Sequence, residues 1–219
     1  MQPRHADRRD RRRPGTGTFL GNRGVLHDDR GRIRRPWQLR RWILCVLEFR
    51  GRRRAVMTPN RYTELFFLDE ATGLAAGHRP CAECRRARFL AFRDAWAPGD
   101  GARPRATAID GRLHAERVGP GRAKRTFEAD LDALLDGVFV TVEESPHLVL
   151  GDTLLAWTPG GYAGRRPRPR GVRLPVLTPS STVVAIRSGY VPDIHPSAGN
   201  HSAPDVGRPR ISRRGSTSS

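Results

Sequence analysis

Residues 67–86 read FLDEATGLAAGHRPCAECRR, and they decide what kind of fold this chain adopts. Asp69 stands where a helix N-cap belongs, the following EATGLAA suits a short helix, and Gly77 can stop it in the left-handed conformation. Pro80 then leads into Cys81 and Cys84, and Phe89, Phe92 and Trp96 follow at i, i+3 and i+7. That spacing predicts an amphipathic helix with both cysteines in its first turn. A thiolate pair at a helix N-terminus suits zinc, because backbone N–H groups and the helix dipole stabilise the negative sulfurs. In many zinc folds one ligand pair lies on a β knuckle and the other on the first helical turn; the second half of that pattern is present here. Two further readings of the pair stand beside it. The cysteines can be partly buried thiols, or a redox dithiol. The redox reading lacks the strand directly ahead of the motif that a thioredoxin-like unit has.

Upstream, WILCVLEF (42–49) has the length of a buried strand, and with RGRRR and AVM it predicts a hairpin turning at Gly51. YTELFFL (62–68) is a second strand candidate, rich in aromatic residues. Downstream, TFEADLDALL (126–135) carries helical spacing through Phe127, Leu131, Leu134 and Leu135. GVFVTV, HLVLGDTLLAWT, VRLPVLT and STVVAI read as strands, with GGYAGRRPRPRG (160–171) as a linker among them. The predicted class is α+β. A zinc-knuckle, treble-clef-like module spans 19–97, a helical connector 98–136, and a β-rich section, barrel or small sheet, 137–196. Residues 1–18 and 197–219 lack periodicity and read as disordered basic tails.

The formal net charge of the 219 residues is +18, but it is unevenly spread. Residues 1–54 hold 17 arginines against 5 acids, and 161–219 hold 10 against 2, whereas 55–160 is slightly acidic. An anionic partner is therefore expected at the flanks. Of the 40 basic residues 39 are arginine, Lys124 being the exception, a bias that base composition can produce as well as selection for bidentate phosphate contacts. Three cysteines, two of them as C-x-x-C, fit metal binding in a reducing compartment better than a disulfide framework. No apolar run has the length of a membrane span, and no apolar segment follows the basic start as a signal peptide requires. A soluble, cytoplasmic protein is the expectation.

The stretch Phe67, Glu70, Ala71, Ala76, Gly77, His78, Arg79, Pro80, Cys81, Cys84 resembles the zinc-binding domain of Ada-type DNA repair proteins. That domain is also attached to some nucleases. Its signature is an aromatic strand, a short helix ending in glycine, and G-[FY]-R-P-C-x-x-C opening a helix. GNRGVLHD (21–28) is loosely similar to the start of the nuclease-attached versions, where histidine can replace a cysteine. The resemblance implies a bound Zn²⁺, with the other ligands coming from the strand region before Tyr62. Cys45 and His27 offer suitable atoms there. Cys45 can equally be a core cysteine, and His27 a surface turn residue. His78 competes as a ligand, although the family carries an aromatic at its position, which implies packing. The chain departs from the family in placing His27 and Cys45 eighteen residues apart. In the Ada-type protein a zinc-bound cysteine accepts a methyl group from a DNA phosphotriester; that activity does not transfer to Cys45 with this spacing.

The expected function is a zinc-stabilised nucleic-acid-binding protein, with DNA favoured over RNA and a link to DNA repair implied by the resemblance. Arg34, Arg35, Arg40, Arg41, Arg52, Arg53 and Arg54 are the candidate phosphate contacts. Trp37 and Trp42 lie within that stretch and can stack on bases, with core packing the alternative for Trp42. A nuclease-like enzyme with a structural zinc knuckle and a non-catalytic interaction protein are the alternatives. His114, His147 and His195 form no spacing that implies a site. Asp28, Asp29, Asp69 and Glu70 read as turn and cap residues.

Overall fold

Gly73 and Leu44 set the arrangement of the N-terminal half. A Cβ on Gly73 would lie 2.7 Å from both Leu44 methyl carbons, so the helix carrying Gly73 lies directly on the strand carrying Leu44. The computed structural model describes residues 17–51, 56–96 and 102–199. The strand with Leu44 is β2 (Ile43–Val46), between β1 (Phe19–Asn22) on one side and β4 (Arg79–Pro80) on the other. β3 (Leu65–Phe67) completes a four-stranded sheet in the order β3-β1-β2-β4. β1 is antiparallel to β2, with Leu20 opposite Cys45, and β4 is parallel to β2, with Leu44 opposite Pro80.

Helix α1 (Glu70–Ala75) forms as its sequence predicts. The Asp69 carboxylate accepts from the Thr72 amide at 2.8 Å, and the Thr72 hydroxyl accepts from the Asp69 amide at 3.1 Å, a reciprocal cap. Gly77 ends the helix at φ +87°. All six α1 residues are buried, so the helix has no solvent face and sits at the centre of the molecule. Leu74 packs with Phe89 and Phe92 of α2 (Arg86–Trp96), with Ile109 and Leu113 of α3 (Ala106–Arg117), and with Ala185 of α4 (Ser180–Arg187). Cys81 and Cys84 lie in the turn that leads into α2 rather than in the helix itself.

The second sheet has six strands: β5 (Phe127–Asp130), β6 (Phe139–Val142), β7 (Ser145–Leu150), β8 (Thr153–Thr158), β9 (Gly161–Pro167) and β10 (Arg173–Val176). Their order is β5-β10-β6-β7-β8-β9, an open sheet and not the barrel that was one of the two expectations. Alternate residues face opposite sides, as the pleat requires. Val140, Val149 and Leu154 pack with Val183 and Ile186 of α4, whereas Phe139, Leu148 and Leu155 pack with Leu68, Ala71 and Ala75 around α1.

Four elements differ from expectation. Residues 127–130 are a strand rather than a helix: Phe127 and Ala129 are half-buried while Glu128 and Asp130 are exposed. Leu131 then opens a short 3₁₀ turn, Leu131–Ala133, and Leu134 directly after it is buried as well. STVVAI belongs to α4, where burial of the β-branched Val183 and Ile186 against the sheet outweighs their strand propensity. The stretch read as a linker contains β9, paired with β8 through Leu155 opposite Arg165. Val56 and Met57 lie in a turn, and the antiparallel partners of β2 come instead from β1. At the ends, Thr18 Oγ1 donates to the Leu68 carbonyl at 2.8 Å and Ala198 is buried, so folded structure reaches one or more residues into each expected tail. The remaining tail residues, 1–16 and 200–219, lie outside the described residues. Among the described residues no helix is long and apolar enough to cross a membrane.

Candidate metal centre

Register alone brings the first and second cysteine-bearing segments together. The parallel β2–β4 pairing continues past Pro80, with the Cys81 amide donating to the Leu44 carbonyl at 3.0 Å. Leu44 faces α1, so its neighbour Cys45 points to the opposite side of the strand. There the sulfurs of Cys45, Cys81 and Cys84 lie within 4.8 Å of one another. None of the three cysteines is in a disulfide.

Backbone amides point at the sulfurs. Glu83 N–H donates to Cys81 Sγ at 3.4 Å, and the Cys84 and Val46 amides favour the ionised forms of Cys81 and Cys84 respectively. Without a metal the three thiols cannot all ionise, because like charges this close repel. The hydrogen bond from Cys45, assisted by the Cys84 and Glu83 amides against the effect of burial, pulls the Cys81 thiol down to about 5. The same hydrogen bond and burial push the Cys45 thiol up, and burial pushes Cys84 up. One thiolate with two protonated neighbours is the expected metal-free state. A soft cation replacing those protons would satisfy all three sulfurs, which supply three ligands. The residues therefore fit a metal ion.

The histidines take other positions. His27 is buried with Nδ1 at 2.6 Å from the Thr63 hydroxyl, and no His, Asp or Glu atom among the described residues joins the three-sulfur group. His78 is fully buried between Trp42 and Phe67, at ring distances of 5.4 and 4.7 Å, which is the packing role expected of an aromatic at that position. Arg34, Arg35, Arg40 and Arg41 are exposed, while Arg52, Arg53 and Arg54 lie outside the described residues. Trp42 is a core residue whose Nε1 donates to the Leu39 carbonyl at 2.8 Å; Trp37 is half-buried.

Comparisons with protein-family models, curated proteins and solved structures gave no match.

Two groups of residues escaped the sequence reading. Asp69 does cap α1, but its other carboxylate oxygen accepts from the Tyr162 hydroxyl at 2.6 Å and from the His195 amide at 3.0 Å. Glu70, read as a cap-region residue, is a fully buried carboxylate lying 2.8 Å from Arg85, the residue after Cys84. The second group is Arg23 and Arg117, which lie over Trp42, with Lys124, whose charge reaches the neighbouring His78. One signal pointed to it: in a chain that otherwise uses arginine throughout, Lys124 is the single lysine.

Proposed function

We propose that this chain is a zinc-stabilised nucleic-acid-binding protein that takes DNA in preference to RNA. Cys45, Cys81 and Cys84 would hold one Zn²⁺, which supplies a cross-link between β2 and the turn entering α2. The observation that carries the metal reading is the group of three sulfurs within 4.8 Å of one another. The knuckle turn with its N–H···S bonds supports a treble-clef-like arrangement and the resemblance to the Ada-type domain. Zinc has a structural role in this reading.

The nucleic-acid reading rests on the loop between β1 and β2. Between β1 and β2 the chain exposes Arg30, Arg32, Arg34, Arg35, Arg40 and Arg41 within twelve residues, with Trp37 among them. Of these, Arg32 is paired with Asp28 at 3.0 Å. Exposed arginines beside an aromatic ring suit phosphates and bases. Among the described residues the sulfurs form the only group of three or more metal-ligating side chains, so nothing specific favours a hydrolytic centre.

The test combines metal analysis with binding. Protein purified without chelator should carry one zinc per chain and retard a DNA duplex in a salt-dependent way. Absence of metal would overturn the first half of the reading, and salt-insensitive or absent DNA binding the second.

A further inference from the structure

Around the Trp42 ring, buried cationic groups gather without a paired carboxylate. The guanidinium carbon of Arg117 lies 3.8 Å from the ring centroid and that of Arg23 lies 4.5 Å from it. His78 packs on the same ring. Lys124 arrives from beyond α3, its ammonium donating to the Ala75 carbonyl at 2.7 Å. The Nε groups of Arg23 and Arg117 and both ring nitrogens of His78 are buried with no hydrogen-bond partner. Arg117 and His78 are 1% and 0% exposed, so the open edge of the cluster is the one formed by the half-buried Arg23 and by Lys124. Native proteins pair nearly all such groups, and each exception calls for a cause.

The nearby acceptors are already engaged. Arg117 donates to the carbonyls of Gly77 at 2.6 Å and Arg40 at 2.5 Å, both neutral groups. Asp110, the carboxylate whose charge reaches Arg117, is held on both oxygens by Arg79 at 2.8 and 2.9 Å. Among the described residues no carboxylate forms an ion pair with Arg23, Arg117 or Lys124. Burial, with the charges of Arg117 and Arg23 added, brings the Lys124 ammonium down to about 7, and burial brings Arg117 down to about 9. Three cations held together without a counter-charge are costly.

We propose that Arg23, Arg117 and Lys124 form a phosphate-binding site built on Trp42. A carboxylate has one charge and two oxygens; a phosphate offers up to two charges and enough oxygens for three cationic donors. Guanidinium groups match its geometry, and the lysine adds a compact point charge. Access is from the side of Arg23, which is half-buried, and of Lys124, whose chain segment is exposed although its ammonium turns inward. The site depends neither on zinc nor on the exposed arginines of residues 30–41. It takes either a free phosphate or a phosphate carried on a nucleic-acid strand.

The probe is inorganic phosphate, titrated into the full chain against chloride at equal ionic strength, with Trp fluorescence and melting temperature as readouts. Phosphate should bind saturably and raise the melting temperature, as any ligand of the folded state does. Arg23→Gln and Lys124→Gln should each weaken phosphate about tenfold, the loss expected for one charge-assisted contact. An Arg34→Gln, Arg35→Gln double variant should weaken DNA binding and leave inorganic phosphate untouched, so this site and the exposed DNA face fail separately. Competition by a short oligonucleotide would show that strand phosphates enter the site, and its absence that free phosphate is the ligand. A wild-type protein indifferent to phosphate, or a phosphate response that survives both Arg23→Gln and Lys124→Gln, would overturn the proposal.

Discussion

The Tyr190 hydroxyl donates to the buried Glu70 Oε1 at 2.5 Å, joining residues 120 apart in the chain. The same carboxylate lies 2.8 Å from Arg85, accepts from the Asp193 amide at 3.1 Å, and meets Arg88. Arg85 directly follows Cys84. The segment after α4 is therefore fastened, through Glu70, to the turn that carries two of the three sulfurs. Helix α1, the segment after α4 and the cysteine-bearing turn share one electrostatic joint.

Glu70→Gln should destabilise the protein by about 3 kcal/mol, because it leaves the buried Arg85 with only the half-exposed Asp193 carboxylate, 3.2 Å away, as counter-charge. Tyr190→Phe should cost less, about 1.5 kcal/mol, the loss of one hydrogen bond to a charged group. Burial raises the Glu70 carboxyl, but Arg85, Arg88, Tyr190 and the Asp193 amide outweigh it and hold the group below its ordinary value. A carboxyl so held contributes stability above its ordinary value and loses it as pH falls through the lowered one. Urea unfolding across the acid range should show a flatter pH dependence for Glu70→Gln than for the wild type. Parallel curves would mean that another carboxylate carries the acid limb.

Cys45→Ala, Cys81→Ala and Cys84→Ala should each strip most of the zinc, and chelator should lower the wild-type melting temperature. His27→Ala should leave the metal in place, since the Thr63 hydroxyl engages the His27 ring and no ring nitrogen joins the sulfurs. Plasma emission spectrometry on the purified variants checks all four. If His27→Ala empties the site while Cys45→Ala does not, His27 is a ligand and Cys45 a core thiol.

The parts of this arrangement legible in sequence are those encoded within a few residues. Asp69 and Gly77 announce α1 because capping and left-handed glycine are local events. Cys81-x-x-Cys84 announces a candidate metal-ligand pair at the start of α2 for the same reason, although the cysteines lie in the turn before the helix rather than in its first turn. Cys45 was legible as a candidate because few other residues in its region offer a soft ligand. What placed it at the site, the parallel pairing of a two-residue strand at Arg79–Pro80, leaves no pattern to read. The cluster on Trp42 was hidden because Arg23, Arg117 and Lys124 come from separate elements, and no periodicity links them. Residues 127–130 and 180–187 were misassigned because spacing and propensity each favoured the wrong element until burial against the six-stranded sheet decided.

Gly73→Ala separates helix propensity from packing. In an exposed helix the change would stabilise by about 1 kcal/mol. Here the new methyl would lie 2.7 Å from both Leu44 methyl carbons, so the fully buried Leu44 side chain must shift. Overpacking of this kind costs about 1–3 kcal/mol, so the net effect should be destabilising. Pairing it with Leu44→Val should recover part of the loss, measured as the coupling in a double-mutant cycle. Additive single effects would show that α1 does not bear on β2 through this contact.

The exposed arginines make the boldest expectation. If residues 30–41 form a phosphate-contacting face, binding to a DNA duplex should weaken steeply with salt, because each neutralised phosphate releases condensed counterions. The slope of log K against log salt falls by about 0.9 for each B-DNA phosphate contact removed. Replacing Arg34, Arg35 and Arg41 by alanine should therefore flatten it by about two to three units. All three side chains are exposed, so zinc content and melting temperature should hold. Fluorescence anisotropy of a labelled duplex at four salt concentrations gives the slope directly. An unchanged slope in the triple variant would make these arginines a solvated loop, and DNA binding would have to be sought on another face.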